Sequence, residues 1–251
     1  MGLTELATLK LYATRPHPCS YLADKEATTV FIDPNAEITG PLYSELSHYG
    51  FRRSGSHIYR PHCNSCQACI PIRVCVDDFS PNRSQKRCLK SNADLQVVER
   101  DRIDNEECFR LYERYINERH ADGDMYPADE EQYRDFLTAE WGVTRFLEFR
   151  NAQQKLLGIA VVDFLSNALS AVYTFYDPDE EKRSLGRFAI LYQLEHAKQL
   201  ELPFVYLGYW IKQCSKMSYK TDYRPYQLLI NQNWVTVSQS AEINTPKTNL
   251  L

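Results

Sequence analysis

Along the second half of the chain the hydrophobic pattern changes period several times, and each change predicts an element. Cys108, Leu111, Tyr112 and Tyr115 recur at helical spacing behind Asp104, which with Glu107 three residues later reads as a capping box. A second helix is predicted over residues 129–141. From residue 143 the period drops to two. Residues 143–149, 157–165 and 169–176 predict three strands, joined by polar turns at 151–155 and at Ser166-Asn167-Ala168. Asp177-Pro178-Asp179 ends the third. Ile190, Leu191, Leu194, Ala197 and Lys198 then return to i, i+3 or i+4 spacing inside a helix predicted over 185–200, and residues 204–209 predict one more strand.

The first hundred residues are patterned differently. They are rich in Pro, Cys, Arg and Tyr, with short apolar runs and one predicted strand at 95–100. Residues 236–251 are polar, lack periodicity and predict a frayed tail. The expectation is an α+β chain in three parts: a Cys/Arg-rich portion at 1–102, a sheet-and-helix domain at 103–235 onto which it packs, and the tail. No internal repeat or low-complexity linker interrupts them.

Composition adds little at first. The 251 residues are 43% hydrophobic and 25% charged, the balance of a globular protein. No stretch approaches eighteen consecutive apolar residues, so no membrane-spanning helix and no membrane partner are expected. Residues 1–10 lack a basic region followed by an apolar run, so no secretory signal is expected either. A cytoplasmic protein follows, with its eight cysteines reduced.

Charge is more informative by position than in sum. The net charge is −4. Between Phe51 and Lys90, however, eight basic residues face two acidic ones, so that stretch is +6 and the remainder −10. Such asymmetry marks either a local anion site on an acidic body or a solvated, loop-rich surface.

Three meandering strands, a helix and a further strand are the core order of the GNAT acyltransferase fold, and the fold class expected is α+β with a GNAT-like acyltransferase core. GNAT acetyltransferases carry [Q/R]-x-x-G-x-[G/A] ahead of that helix, where backbone N–H groups and the helix dipole hold a pyrophosphate. Here Arg183-Ser184-Leu185-Gly186-Arg187-Phe188 fits the first four positions. Phe188 replaces the final small residue, and its bulk is expected to obstruct a diphosphate. The donor is therefore expected to be something other than CoA.

Several segments, in order, resemble the arginyl/leucyl-tRNA–protein transferase family. They include Pro18-Cys19-Ser20-Tyr21-Leu22, Gly50-Phe51-Arg52-Arg53-Ser54-Gly55, Tyr59-Arg60-Pro61, Pro71-Ile72-Arg73-Val74 and Asn82-Arg83-Ser84-Gln85-Lys86-Arg87. The second half adds Ser170-Ala171-Val172-Tyr173, Tyr176-Asp177-Pro178, Tyr206-Leu207-Gly208-Tyr209 and Cys214-Ser215-Lys216-Met217-Ser218-Tyr219-Lys220. The short chain and the spacing of Cys63, Cys66 and Cys69 resemble the bacterial leucyl branch. The resemblance implies transfer of leucine from leucyl-tRNA onto an N-terminal Asp or Glu, marking the acceptor protein for N-end rule degradation. Leucyl-tRNA and acidic-ended proteins are the partners implied. DNA, ATP and CoA are not.

An acidic N-terminal residue offers a carboxylate, which a guanidinium fork grips well. Arg73, Arg83, Lys86 and Arg87 are the candidates; the alternative is that they hold tRNA phosphates or face water. Arg52 and Arg53, beside Gly55, are candidates for a phosphate contact or for structural salt bridges. Arg187, Lys216 and Lys220 are further candidates for tRNA phosphate. Cys63, Cys66 and Cys69 sit at metal-ligand spacing, with Cys19, His62 or His57 as a fourth ligand for a structural zinc, or else are free thiols. No cofactor is required for the transfer itself. Cys75, Cys88, Cys108 and Cys214 are expected to be core thiols.

For chemistry, Asp163 is a candidate base or amine anchor, or else a turn-capping carboxylate. Tyr173, with Tyr176, Tyr206 and Tyr209, is a candidate for orienting the aminoacyl ester or stacking an adenine. Cys19 is a candidate nucleophile. The competing classes are a CoA-dependent N-acetyltransferase and a non-enzymatic zinc-containing RNA-binding module.

Overall fold

The computed structural model describes residues 8–139 and 141–238. In the first part, β1 (Leu11–Ala13), β4 (Thr29–Ile32), β5 (Arg52–Ser54) and β6 (His57–Pro61) form an antiparallel sheet in the order β1-β4-β6-β5, while β2 (His17–Pro18) pairs with β3 (Glu26–Ala27). A mixed sheet of eight strands follows: β7 (Ile70–Cys75), β8 (Gln96–Arg100), β9 (Thr144–Arg150), β10 (Leu156–Leu165), β11 (Ala168–Tyr176), β12 (Phe204–Trp210), β13 (Tyr226–Ile230) and β14 (Asn233–Val237). Its order is β14-β13-β7-β12-β11-β10-β9-β8, and β11–β12 is its parallel pair. The helices are α1 (Gly40–His48), α2 (Arg83–Ser91), α3 (Glu106–Arg119), α4 (Glu130–Leu137) and α5 (Leu185–Gln199). The architecture is α+β, and among the described residues no helix is long and apolar enough to cross a membrane.

The sequence of β10 explains its place. Eight consecutive residues from Leu156 are buried. Successive side chains of a strand point to opposite faces, so an unbroken apolar run needs cover on both. Leu157, Ala160 and Val162 join one core with Phe188, Leu191 and Leu194 of α5. Leu156, Ile159 and Val161 join a second with Leu111, Tyr112 and Ile116 of α3. A third core packs Leu42, Tyr43 and Leu46 of α1 against Leu165, Ala168 and Tyr206.

The three predicted meander strands, the helix after them and the next strand stand within one or two residues of their predicted bounds. Other expectations need correction. The cap of α3 is Asn105, whose Oδ1 accepts from the Cys108 N–H at 2.9 Å, and not Asp104. The N3 position thereby falls on Cys108 and no capping box forms; Glu107 instead pairs with Arg150 at 2.7 Å. α4 ends at Leu137, short of the predicted 141, because Thr138 turns extended. Thr236 and Val237 belong to β14, so the tail does not begin at 236; residues 239–251 lie outside the described ones. Two left-handed residues, Asn231 and Gln232, close the β13–β14 hairpin that the pattern did not predict. The 102/103 boundary falls between β8 and α3, and the large sheet runs across it through β7 and β8. Cys75, Cys88 and Cys108 are buried as expected, while Cys214 is half-buried.

One buried ion pair joins the two sheets. Asp163 on β10 and Arg53 on β5 have fully buried side chains, with Nε–Oδ2 at 2.7 Å and Nη2–Oδ1 at 2.8 Å. Tyr43 donates to Oδ2 at 3.0 Å and Thr144 to Oδ1 at 2.8 Å. The Leu137 carbonyl accepts from Arg53 Nη2 at 3.2 Å. Gly55, at φ +57°, donates its N–H to the Phe136 carbonyl at 2.8 Å; a Cβ there would collide with the Asp135 carbonyl oxygen. A half-deleted buried pair leaves one uncompensated charge, so Asp163→Asn is expected to cost about 3–5 kcal/mol. A urea titration checks this through a lowered midpoint at unchanged m.

Candidate active site

β11 and β12 pair in parallel at only three positions, Ala168 with Phe204, Leu169 with Val205 and Ser170 with Tyr206. Beyond them the strands part. Opposite the gap, the pairing of β12 with β7 slips between Tyr206 and Tyr209, a bulge that contains Gly208 at φ +82°. The gap opens into a cleft of about 560 Å³, the size of a pocket that buries a nucleoside-sized ligand.

Each wall comes from a different element. β11 contributes Tyr173 and Tyr176, and the last turn of α3 contributes Tyr115 and Arg119. Tyr115 lies against Tyr176 with ring centroids 5.0 Å apart, and the Arg119 guanidinium stands 5.6 Å from the Tyr176 ring. Arg119 also pairs with the exposed Glu181 at 3.7 Å. The α5 N-terminus supplies Ser184, Gly186 and Arg187. Ser184 is left-handed at φ +53° and its side chain makes no capping bond. The first turn of α5 therefore presents its positive dipole end to the cleft without an acidic residue of its own. Tyr219, Lys220 and Tyr223 close the remaining side.

Burial raises the hydroxyl pKa of Tyr115, Tyr173 and Tyr223. All three are protonated at neutral pH and serve as hydrogen-bond donors. Lys220 behaves oppositely. Burial, and then the neighbouring Arg52 guanidinium, holds its ammonium down to about 8. Its Nζ donates to the Tyr209 carbonyl at 2.7 Å.

Of the residues singled out by sequence, the cleft gathers Tyr173, Tyr176, Arg187 and Lys220. Arg187 reaches over to α2, where its Nη1 donates to Ser84 Oγ at 2.9 Å. Arg83, Lys86 and Arg87 are exposed on that same helix. Lys216 is exposed and paired with Asp122 at 3.3 Å. Arg73 lies on the other side of the sheet. Its guanidinium is sandwiched 3.6 Å from the Phe204 ring and 4.1 Å from the Trp234 ring, and it donates to Gln227 and Tyr206 at 2.7 and 3.0 Å. Tyr209 donates to the Gly50 carbonyl at 2.8 Å. Asp163 is enclosed with Arg53, away from the cleft, and Cys19 does not line it.

Phe188 does not obstruct the α5 N-terminus. Its ring points into the core, 5.2 Å from the Phe149 ring. Arg119 and Glu181 were not anticipated. Arg119 follows Tyr115 by four residues, so the helical spacing of α3 already places both on one face.

Cys19, Cys63, Cys66 and Cys69, four of the expected zinc ligands, share one neighbourhood. Burial, then the thiols of Cys63, Cys19 and Cys66, pushes the Cys69 thiol up to about 12. Cys63 Sγ accepts from the Thr28 N–H at 3.5 Å. Tetrahedral zinc needs four deprotonated ligands about one point. Among the described residues no three His, Cys, Asp or Glu side chains are grouped so that they could hold a metal ion.

Comparison with known proteins covers both halves. Residues 17–87 match the model of the arginine-tRNA-protein transferase N terminus and residues 107–230 that of its C terminus. A relative from Teredinibacter turnerae named aspartate/glutamate leucyltransferase is 78% identical over 241 residues, covering 96% of this chain and 99% of its own. A protein of the same name from Saccharophagus degradans is 60% identical, covering 93% of this chain and 99% of its own. One from Pseudomonas aeruginosa (strain LESB58) is 58% identical, covering 94% and 100%.

The surroundings of Lys220 make a direct prediction. It is expected to titrate near 8, against about 10.4 for an exposed lysine. The pH dependence of its acylation rate, followed by mass spectrometry, reads this; a value near 10 would mean that the ammonium is solvated.

Proposed function

The chain belongs to the arginine-tRNA-protein transferase family, and on that premise we propose that it transfers leucine from leucyl-tRNA to the N-terminal Asp or Glu of acceptor proteins. The observation that carries the reading is the match along nearly the whole chain to relatives bearing the name aspartate/glutamate leucyltransferase. The modification marks the acceptor for N-end rule degradation in the cytoplasm.

The parted strands with a helix N-terminus beside them support the reading of a GNAT-like acyltransferase core, in which the donor lies at such a place. The aminoacylated adenosine lies in the cleft between β11 and β12. Tyr173 and Tyr176 offer faces on which an adenine stacks. The α5 N-terminus and Arg187 face its phosphate. The exposed Arg83, Lys86 and Arg87 continue that positive rim along α2 and suit the tRNA backbone. A solvent-washed cation discriminates little between acceptors, whereas counter-ion release by such cations strengthens RNA binding.

The chemistry asks little of the protein. The donor ester is already activated, so neither ATP nor CoA enters the reaction. The acceptor α-amine has an unperturbed pKa of about 7.7–8.0, and a useful fraction is neutral at cellular pH. Holding amine and ester together supplies most of the acceleration. The protonated tyrosines provide donors for the oxyanion that develops as the amine attacks. Glu181, the carboxylate among the cleft residues, is the group through which a proton leaves the amine.

The deciding assay incubates purified protein with labelled leucyl-tRNA or arginyl-tRNA and peptides beginning Asp, Glu, Arg or Ala. Leucine is expected on Asp and Glu alone. Acetyl-CoA is the control, since Phe188 leaves the α5 N-terminus open to a pyrophosphate; acetylation of the peptides would replace this function with an N-acetyltransferase. Joint substitution of Arg83, Lys86 and Arg87 by Ala is expected to weaken leucyl-tRNA binding. It should also reduce the slope of log affinity against log salt by about 2, at roughly 0.7–0.9 per phosphate contact. An unchanged slope would remove α2 from the tRNA interface.

A further inference from the structure

Arg52 and Arg53 are neighbours on β5 with opposite fates. Arg53 is matched by Asp163. Arg52 is only 7% exposed, yet its Nη1 is buried without a hydrogen-bond partner, and among the described residues no carboxylate pairs with it. Burying a cation without a counter-ion is strongly unfavourable unless an anion visits.

A second cation approaches the same spot. A Cβ placed on Gly208 would lie 3.6 Å from Lys220 Nζ, 3.7 Å from Arg52 Nη2 and 3.8 Å from Arg52 Nε. The space in front of the Gly208 Cα is therefore flanked by both cations, and the missing side chain leaves room for a group to approach them. Leu207, the chain neighbour of Gly208, and Lys220 itself line the cleft, so the space lies at the cleft's edge. The groups acting on Lys220 are the Arg52 guanidinium on β5, which disfavours its charge, and the Cys214 thiol, which favours it. Tyr209 contributes only its carbonyl.

We propose that Arg52, Lys220 and the open face of Gly208 form the subsite that grips the side-chain carboxylate of the acceptor's N-terminal residue. This rests on the aminoacyl-transfer reading. In Asp the carboxyl carbon is one methylene from the carbon that bears the amine, and in Glu two. A carboxylate held beside Gly208 therefore leaves the amine at the cleft, where the ester lies. An amide in its place accepts from the cations but brings no charge to match them, which gives the site its preference for acid over amide. The guanidinium meets the carboxylate as a planar fork and the ammonium as a point charge.

Steady-state transfer to peptides beginning Asp and Asn tests the assignment. In Arg52→Gln the ratio of kcat/KM for Asp over Asn is expected to fall at least tenfold, through KM for the Asp peptide. A retained ratio overturns the proposal. So does a weakened Kd for leucyl-tRNA at a retained ratio, which would assign the pair to a donor phosphate. Should Arg52→Gln fail to fold, the wild-type protein serves. Acylation of Lys220 by acetic anhydride is expected to be slowed by the Asp peptide and not by the Asn peptide; equal slowing overturns the proposal. The protection experiment needs no turnover. Absence of leucine transfer by the wild type therefore counts against the transferase reading separately.

Discussion

The pair of Asp163 and Arg53 fixes how the two halves of the chain meet. It lies 110 residues apart in sequence and spans the small sheet and the large one. Tyr43 of α1, Thr144 of β9 and the Leu137 carbonyl at the end of α4 enclose it with hydrogen bonds. A buried pair is weak evidence for net stability, since desolvation offsets much of the attraction. Its effect here is geometric. Side chains alternate along a strand, so locking Arg53 against β10 turns Arg52 the other way, toward Gly208 and Lys220.

Position in the sheet explains the cleft. β7 enters between β12 and β13, so β12 has a partner on its far side while it parts from β11. The strand bends at the Gly208 bulge and keeps its ladder to β7 on either side. The space created is walled by tyrosines that burial keeps neutral and by cations with few acids nearby. Under the proposed function such a cleft would suit an activated ester with phosphates at one end, gaining rate by placement and by stabilising developing negative charge.

Several features were legible in the sequence because their causes are local. The alternation of β9, β10 and β11, the helical stripe of α5 and the turns at Asn151 and Ser166 each depend on neighbours within a few residues. Tyr173, Tyr176 and Arg187 could be placed near the cleft from element order alone. The cap of α3 was missed by one residue because Asp104 and Asn105 are both competent caps. Which of them serves is set by Ile103, which packs into the core at 2% exposure and fixes the phase of the entering chain.

The amino-acid sequence by itself determined which elements form, the family pattern they carry and the excess of positive charge before Lys90. Only the tertiary structure decided which cations have partners. Arg53 is matched by Asp163 and Arg73 donates to Tyr206 and Gln227, while Arg52 buries an Nη1 with no partner. It also turned Phe188 into the core and set Lys220 beside Arg52. The reason is physical: periodicity and propensity act between near neighbours, whereas burial and charge pairing are settled between residues that the chain brings together only when the sheet closes.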